Sequence, residues 1–418
     1  MGEKLYGLLG RKLGHSWSVS IHRALGCPGY RLLEVEPEDL PGLLARGDIG
    51  GLNVTIPYKR AVMAHCASIH PEAAEIGSVN TLVPGPDGKL RGYNTDLSGF
   101  LTMARRAGVS FAGRKVVVLG SGGASLTVQA AARQEGAREV AVISRQGPDN
   151  YQNLDRHQDA QVLVNATPVG MWPQLDAAPV DLDRFPELEG VLDLIYNPLR
   201  TRLLLQAEER GIPRAGGLAM LVEQAAEAEG LFFGKEIPED RVLEILAGLW
   251  QDRANLVLAG MPGCGKTTVG RALAELSGRA LLDLDKEIVR QGGRSIPEIF
   301  REEGEAAFRD LESRVLAQVT ADRSGWIIAT GGGAVLRPEN REALRRTGRV
   351  CFLRRELGEL ATQGRPLSQG GDLEEMYRQR LPLYQRTADF EAENRGTPEE
   401  TAKTIWRDFC AYSGDQRP

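Results

Sequence analysis

The sequence predicts an α/β protein of successive units, and three observations predict it. Gly260-Met261-Pro262-Gly263-Cys264-Gly265-Lys266-Thr267 fits the pattern G-x-x-x-x-G-K-[ST], between an apolar run from Asn255 to Ala259 and a stretch from Thr268 to Ser277 with helical apolar spacing. A second glycine turn, Gly120-Ser121-Gly122-Gly123-Ala124-Ser125, follows the apolar run Lys115 to Leu119 and precedes a helical stretch from Leu126 to Gln134. The first hundred or so residues alternate short apolar runs with helical stretches.

A chain of 418 residues accommodates two to four domains. Hydrophobic residues make up 42% and charged residues 26%, so each unit can bury a core. The formal net charge of −5 and the pI near 5.8 argue against a general nucleic-acid surface. Five scattered cysteines without a CxxC pair fit a reducing compartment, and no signal-like N-terminus or long apolar run points to a membrane, so a cytoplasmic location is expected. Oligomeric state is not legible.

In the first unit, Ser16 and Ser18 stand at i and i+2 ahead of a helical pattern at Ile21, Ala24 and Leu25, where the bland reading is a helix cap. Asn53-Val54-Thr55-Ile56-Pro57-Tyr58-Lys59 reads as a strand end stopped by proline, which presents Lys59 at the strand's carboxyl edge. Gly77-Ser78-Val79-Asn80-Thr81 and Gly92-Tyr93-Asn94-Thr95-Asp96 put Asn and Thr at further strand ends or turns.

In these four segments the chain resembles shikimate dehydrogenase. One departure is Val19, where a proline usually follows the second serine. The resemblance implies that Lys59 and Asp96 are the catalytic pair and that Ser16, Ser18, Thr55, Lys59, Asn80 and Asp96 contact the substrate. The chemistry agrees, because hydride reduction of a ketone leaves an alkoxide that needs a proton donor, and a lysine held by a carboxylate supplies one.

The unit beginning near Gly113 reads as a dinucleotide-binding Rossmann βαβ arrangement, with Gly120, Gly122, Gly123 and Ala124 in the phosphate turn. After the next strand, Glu139 to Ile143, Ser144-Arg145 replaces the acidic residue of an NAD site, which suits the 2′-phosphate of NADP. The family's second arginine is replaced by Asp149. The resemblance adds Thr167, in Asn165-Ala166-Thr167-Pro168, and Met220 beside the cofactor, with Tyr196 and Gln224 reaching the substrate. A short charged junction, Gln251-Asp252-Arg253, follows a helical stretch from Glu239 to Trp250 and predicts a stiff connection.

Beyond the junction, Gly260, Gly263, Cys264, Gly265, Lys266, Thr267 and Thr268 form a nucleoside triphosphate site, with Thr267 offering an oxygen to Mg²⁺. Ala280 to Asp285 reads as a strand carrying Asp283 and Asp285 on one side. With Phe308-Arg309-Asp310-Leu311-Glu312, Gly331-Gly332-Gly333, Gly364-Arg365-Pro366-Leu367 and Arg380-Leu381-Pro382-Leu383-Tyr384, this part resembles shikimate kinase. That resemblance implies Asp283 at the Mg²⁺ shell and Asp285 polarising the acceptor hydroxyl. It also implies shikimate bound by Arg309, Gly332, Gly333 and Arg380, and Arg365 acting in catalysis from a lid. The arginine usual about seven residues before Arg365 is missing, with Arg354 or Arg355 as substitutes.

The expectation is a bifunctional enzyme using NADP(H), ATP and Mg²⁺: reduction of 3-dehydroshikimate, then phosphorylation of the shikimate 3-hydroxyl. Its parts are a substrate-binding domain at 1–103 completed by 215–248, a Rossmann domain at 104–214 and a P-loop kinase domain with a parallel sheet at 254–418. Two alternatives stay open: an NAD-linked quinate/shikimate dehydrogenase fused to another small-alcohol kinase, and a non-catalytic ligand-sensing regulator.

Overall fold

The computed structural model describes residues 4–14, 16–360 and 373–411, which form three lobes, each around one sheet. The first lobe contains β1 (Leu5–Gly10), α1 (Ser18–Leu25), β2 (Arg31–Glu34), α2 (Leu40–Leu44), β3 (Ile49–Val54), β4 (Ser68–Ile69), α3 (Pro71–Ile76), β5 (Thr81–Pro84) and β6 (Leu90–Tyr93). Its strand order is β2-β1-β3-β5-β6-β4, with β1 parallel to β2 and β3, and β5 antiparallel to β3 and β6. The reversal at β5 turns Asn80 and Lys59 toward one edge, where Val79 N donates to Lys59 O at 2.9 Å.

Next, α4 (Asp96–Arg106) runs unbroken past residue 103 and leads to the second lobe. That lobe consists of β7 (Lys115–Leu119), α5 (Gly123–Gln134), β8 (Glu139–Ile143), β9 (Val162–Asn165), β10 (Gly190–Asp193), α6 (Arg202–Glu209) and β11 (Arg214–Gly216), in the parallel order β11-β10-β9-β7-β8. Every residue of β7 and β9 is buried, as expected of strands covered on both faces. The chain then returns to the first lobe through α7 (Leu218–Phe233), which packs along α4 and α1.

The helix α8 (Glu239–Arg253) continues through the polar triplet read as a junction and ends directly before β12 (Asn255–Ala259). Apolar residues sustain it to the end, since Leu249 and Trp250 are buried and Trp250 faces Phe409 with ring centroids 6.4 Å apart. The third lobe continues with α9 (Lys266–Ser277), β13 (Leu281–Asp283), α10 (Leu284–Gly292), α11 (Ile296–Asp322), β14 (Ile327–Ala329), α12 (Pro338–Thr347), β15 (Gly348–Arg354), α13 (Leu373–Thr387), β16 (Phe390–Glu393) and α14 (Pro398–Cys410). Its sheet is parallel, in the order β13-β14-β12-β15-β16. The strand expected to reach Asp285 stops at Asp283, because the Asp283 carboxylate accepts from Lys286 N at 3.2 Å and caps α10. Asp285 therefore lies in the first turn of α10, not on the strand.

One apolar core runs from α4 and α7 through Val242, Ile245 and Leu249 of α8 into the third sheet. Polar contacts add to it: Trp172 Nε1 donates to Ala321 O at 3.2 Å, Arg346 Nη1 to Leu175 O at 2.6 Å, and Arg200 N to Arg346 O at 3.1 Å. Among the described residues, no helix is long and apolar enough to cross a membrane.

Candidate active sites

The first site lies where lobes one and two face each other. Lys59 follows the turn after β3, and Asp96 is the first residue of α4, so the helix N-terminus favours its negative charge. Lys59 Nζ donates to Asp96 Oδ2 at 2.5 Å, with the lysine side chain 17% and the aspartate 4% exposed. The Asn94 carboxamide oxygen accepts from Asp96 N at 3.1 Å and steadies the turn.

Asn80 ties three elements together. Its Oδ1 accepts from Thr95 N at 2.8 Å, and its Nδ2 donates to Thr95 Oγ1 at 3.1 Å and to Gln224 Oε1 of α7 at 3.2 Å. Gln224, 144 residues along the chain, thus joins the edge that carries Lys59. Thr55 lies beside it, its amide donating to Leu9 O at 2.9 Å.

Ser16 and Ser18 do not cap α1 by side chain; Trp17 is the cap residue and Ser18 the first of the helix. Instead Ser16 Oγ accepts from Ser18 N at 3.2 Å and donates to Ser18 Oγ at 3.0 Å, a local hydroxyl pair. Trp17 between them meets Tyr196 of the second lobe edge-on, with centroids 5.0 Å apart.

The facing wall is the glycine turn after β7. Gly120 has φ +104°, and a Cβ there would sit 2.9 Å from Ala166 O and 3.0 Å from Thr167 Cγ2, so only glycine lets the turn lie against the segment after β9. Gly122 precedes α5 without a side-chain cap, leaving first-turn amides for a phosphate. A Cβ added to Gly123 would stand 3.9 Å from Lys59 Cδ, which sets this turn against the lysine. The turn therefore fits a dinucleotide. Arg145 is exposed at the end of β8, Met220 is buried in α7, and Ser144 N donates to Asp149 O at 3.1 Å. Asp149 points at His157, with Oδ1 3.1 Å from Nε2, so its charge is turned into the lobe.

Beneath the cleft lies a buried network not anticipated from the sequence. Asp193 Oδ1 accepts from Asn165 Nδ2 and Ile195 N, both at 3.0 Å, and Oδ2 from Thr201 Oγ1 at 2.7 Å. Burial pushes the Asp193 carboxyl up to about 6, against those hydrogen bonds. Asn165 Oδ1 in turn accepts from Thr167 Oγ1 at 2.7 Å.

The second site is a cavity of 370 Å³ in the third lobe. At its floor, Gly260, Gly263 and Gly265 have φ of +153°, +86° and +100°, the left-handed values that wrap loop amides inward. Lys266 Nζ rests on Gly260 O at 2.8 Å and Met261 O at 2.9 Å. Thr267 Oγ1 donates to Asp283 Oδ2 at 2.7 Å, and Thr268 lines the same floor. Cys264 is fully buried, and its carbonyl accepts from Asn394 Nδ2 at 2.7 Å. Among the described residues there is no cluster of three or more His, Cys, Asp or Glu able to hold a metal. The Thr267–Asp283 pair nonetheless fits Mg²⁺, which keeps waters and takes phosphate oxygens alongside one or two protein groups.

Arg309 occupies the opposite wall. A Cβ on Gly333 would fall 2.2 Å from Arg309 Nη1, so the glycine gives the guanidinium its space. Tyr384 Oη donates to Gly332 O at 2.5 Å and Arg380 Nη1 donates to the same oxygen at 3.3 Å, bringing α13 onto the glycine turn. A Cβ on Gly331 would lie 2.8 Å from Asp285 Oδ1 and 3.0 Å from Glu312 Oε1, which sets these carboxylates side by side. Glu312 Oε2 accepts from Arg309 Nη1 at 2.7 Å. Burial, reinforced by Asp285, raises the Glu312 carboxyl against the pull of Arg309.

The sequence reading assigned Glu312 no role, although its i+3 spacing from Arg309 on α11 was visible. It also missed the apolar wall of Ile296, Pro297 and Phe300, which the kink at Gly304 (φ +83°) folds over the cavity. Of the two substitutes for the missing arginine, Arg355 lines the cavity, whereas Arg354 pairs with Glu391 at 3.2 Å. Arg365 lies outside the described residues.

The fold and sites define a two-enzyme chain, a dinucleotide-dependent oxidoreductase followed by a P-loop kinase. The family model of the shikimate dehydrogenase substrate binding domain matches residues 8–82, that of the shikimate 5'-dehydrogenase C-terminal domain 217–246, and that of shikimate kinase 262–409. The shikimate dehydrogenase (NADP(+)) of Clostridium beijerinckii is 36% identical over 248 residues, covering 55% of this chain and 92% of that protein. The enzyme of the same description from Methanopyrus kandleri is 40% identical over 271 residues, covering 57% and 93%. The solved structure of Thermus thermophilus shikimate 5-dehydrogenase in complex with NADP(H) and shikimate matches at TM-score 0.53 and 35% identity, covering 58% of this chain and 98% of that one. The chain belongs to the shikimate dehydrogenase family and carries a shikimate kinase domain behind the dehydrogenase.

Proposed function

We propose that the chain reduces 3-dehydroshikimate to shikimate with NADPH and then phosphorylates shikimate with ATP and Mg²⁺. The observation that carries this reading is the Lys59–Asp96 pair, 2.5 Å apart, facing the Gly123 turn on a chain whose second nucleotide loop has its own arginine-lined cavity. The dehydrogenase would comprise residues 1–103 with 215–248 for substrate and 104–214 for cofactor, and the kinase residues 254–418.

In the first reaction NADPH supplies the hydride. Lys59 Nζ gives its proton to the oxygen that becomes negative, Asp96 orients the ammonium and takes a neighbouring hydroxyl, and Ser16 and Ser18 hold the carboxylate. Thr55, Asn80, Gln224 and Tyr196 complete the substrate's surroundings. Gly120, Gly122, Gly123, Ala124, Ser144, Arg145, Thr167 and Met220 face the cofactor.

In the second reaction ATP supplies the phosphoryl group, with Mg²⁺ balancing its charge. The Gly260–Thr268 loop holds the phosphates, Thr267 and Asp283 serve the metal, and Asp285 takes the proton side of the acceptor hydroxyl. Arg309 and Arg380 bind the carboxylate beside Gly332 and Gly333, and Arg365 assists the transfer.

One assay tests the whole: dehydroshikimate, NADPH and ATP–Mg²⁺ supplied together, with both products identified. Lys59→Ala is expected to lower NADPH oxidation about 10²-fold or more and leave the kinase intact, and Lys266→Ala to abolish ADP formation from ATP on addition of shikimate and leave the reduction intact. Faster turnover of quinate with NAD than of dehydroshikimate with NADPH would replace the first half of the reading. Wild-type activity in either variant would remove that site assignment.

A further inference from the structure

A third cavity, of 390 Å³, lies where all three lobes meet, and neither reaction described above uses it. Its walls include Ser16 and Trp17 of the first lobe, Trp172 and Asn197 of the second, and Arg253 and Arg323 from the junction helix and the third. It therefore reaches the dehydrogenase site at Ser16, half of the hydroxyl pair assigned to the substrate carboxylate.

Arg253 is the residue best placed to act there. Its Cζ lies over the Trp17 ring, 4.9 Å from the centroid, and Trp17 separates Ser16 from Ser18 in the chain and abuts Tyr196. Arg323 lies in the same way 4.9 Å from the Trp326 centroid. Among the described residues neither guanidinium forms an ion pair, and Asp322 is the one carboxylate in this wall, so the cavity presents a net positive charge. A partly buried guanidinium on an aromatic face, with no anion beside it, has a charge available for an anionic ligand.

The position also belongs to neither family pattern. The dehydrogenase match ends at residue 246 and the kinase match begins at 262, which leaves Arg253 between them. It sits at the junction of the two enzymes.

We propose that Arg253, supplied by the fusion junction, is a positioning and specificity residue of the dehydrogenase. Its charge attracts the carboxylate of a cyclic hydroxy acid through the interlobe cavity toward Ser16 and Ser18. Its place over the Trp17 ring sets that charge beside the turn that carries both hydroxyls. This rests on the dehydrogenase reading given above.

The test compares full-length wild type with Arg253→Ala, Arg253→Glu and Arg253→Lys in steady-state reduction of 3-dehydroshikimate. Expected is a KM raised on the order of tenfold in Arg253→Ala and further in Arg253→Glu, with kcat little changed. Arg253→Lys recovers part of the loss, and about 0.5 M salt narrows the gap between wild type and Arg253→Ala. The methyl ester of the substrate, which lacks the charge, is used equally by wild type and Arg253→Ala. Kinase activity on added shikimate, unchanged in the same preparations, certifies that each variant is folded. Wild-type KM in Arg253→Ala and Arg253→Glu overturns the proposal, and so does an ester that suffers as much as the acid, because Arg253 would then only brace Trp17. A wild type that cannot reduce dehydroshikimate with NADPH instead overturns the dehydrogenase reading, and this inference with it.

Discussion

Arg200 of the second lobe grips Asp389 of the third by two parallel bonds, Nη1 to Oδ1 at 2.6 Å and Nη2 to Oδ2 at 3.1 Å. The pair joins the dehydrogenase loop that follows Tyr196 to the residue between α13 and β16, where Asp389 Oδ2 also accepts from Val350 N at 2.7 Å. Glu208 extends the network, lying 3.0 Å from Arg214 and 3.4 Å from Arg345. The two enzymes are thus held by matched, desolvated charges as well as by the apolar core along α8.

Removing one partner of such a pair strands the other charge. Arg200→Ala is expected to cost about 3–5 kcal/mol in the contact between the halves. Calorimetry should show the dehydrogenase and kinase transitions moving apart while both activities survive at low temperature. Unchanged melting would mean that the apolar core alone joins the lobes.

The same carboxyls set an acid limit. Burial alone would push Asp389 and Glu208 up, but the Arg200 pair at Asp389, and Arg200, Arg214 and Arg345 around Glu208, hold both below the ordinary carboxylate range. A folded-state value below the unfolded one adds stability that is complete above the ordinary carboxylate value and lost as pH falls through the folded value. The interface should therefore persist at mildly acidic pH and weaken below the ordinary carboxylate range. Arg200→Ala should flatten that acid branch in a melting-temperature profile.

Asp193 has the opposite sign. Its carboxyl rises from 3.8 to about 6, so its contribution is fullest below 3.8 and is lost as pH rises through 6. The difference is on the order of 3 kcal/mol at neutral pH. Asp193→Asn keeps an acceptor for Ile195 N and Asn165 and can donate to Thr201. It should gain stability relative to wild type at pH 7–8 and flatten the profile between pH 4 and 7, as read by chemical denaturation at several pH values. An unchanged slope would show that another group titrates there.

Lys59→Ala should lower kcat for reduction about 10²–10⁴-fold, the range expected for a lost proton donor, and leave phosphorylation of added shikimate intact. Asp96→Asn should lower kcat less and raise KM, since it both orients Lys59 and contacts the substrate. Single-turnover hydride transfer measures both, and equal kcat in Lys59→Ala and wild type would assign the proton to another group.

Glu312→Gln tests the unforeseen member of the kinase site. Without the full charge that holds Arg309 at 2.7 Å, the guanidinium loses its fixed direction. KM for shikimate should rise several-fold while KM for ATP stays constant, in initial-rate assays varying each substrate separately. Equal increases in both would place Glu312 in general stability.

Much of this was legible in the sequence because it depends on local spacing. The strands Lys115–Leu119, Glu139–Ile143 and Asn255–Ala259 have the bounds read from their apolar runs, and both glycine turns sit at their strand ends. The boundary errors came from competing local bonds. The strand ended at Asp283 and left Asp285 on α10 because the Asp283 carboxylate caps that helix, and the polar triplet ending at Arg253 stayed helical because Trp250 before it is anchored on Phe409.

By itself the sequence determined the three α/β units, both nucleotide turns and most side chains proposed for the two reactions, since backbone freedom at glycine and the chemistry of Lys, Asp and Arg are written residue by residue. Only the tertiary structure decided which charges meet: Arg200 with Asp389, 189 residues apart, Asn80 with Gln224, 144 apart, and Arg253 on Trp17. A charged side chain carries no mark of its partner. The partner is chosen by packing, when burial of the apolar faces brings distant segments together and leaves each ion to be paired or exposed.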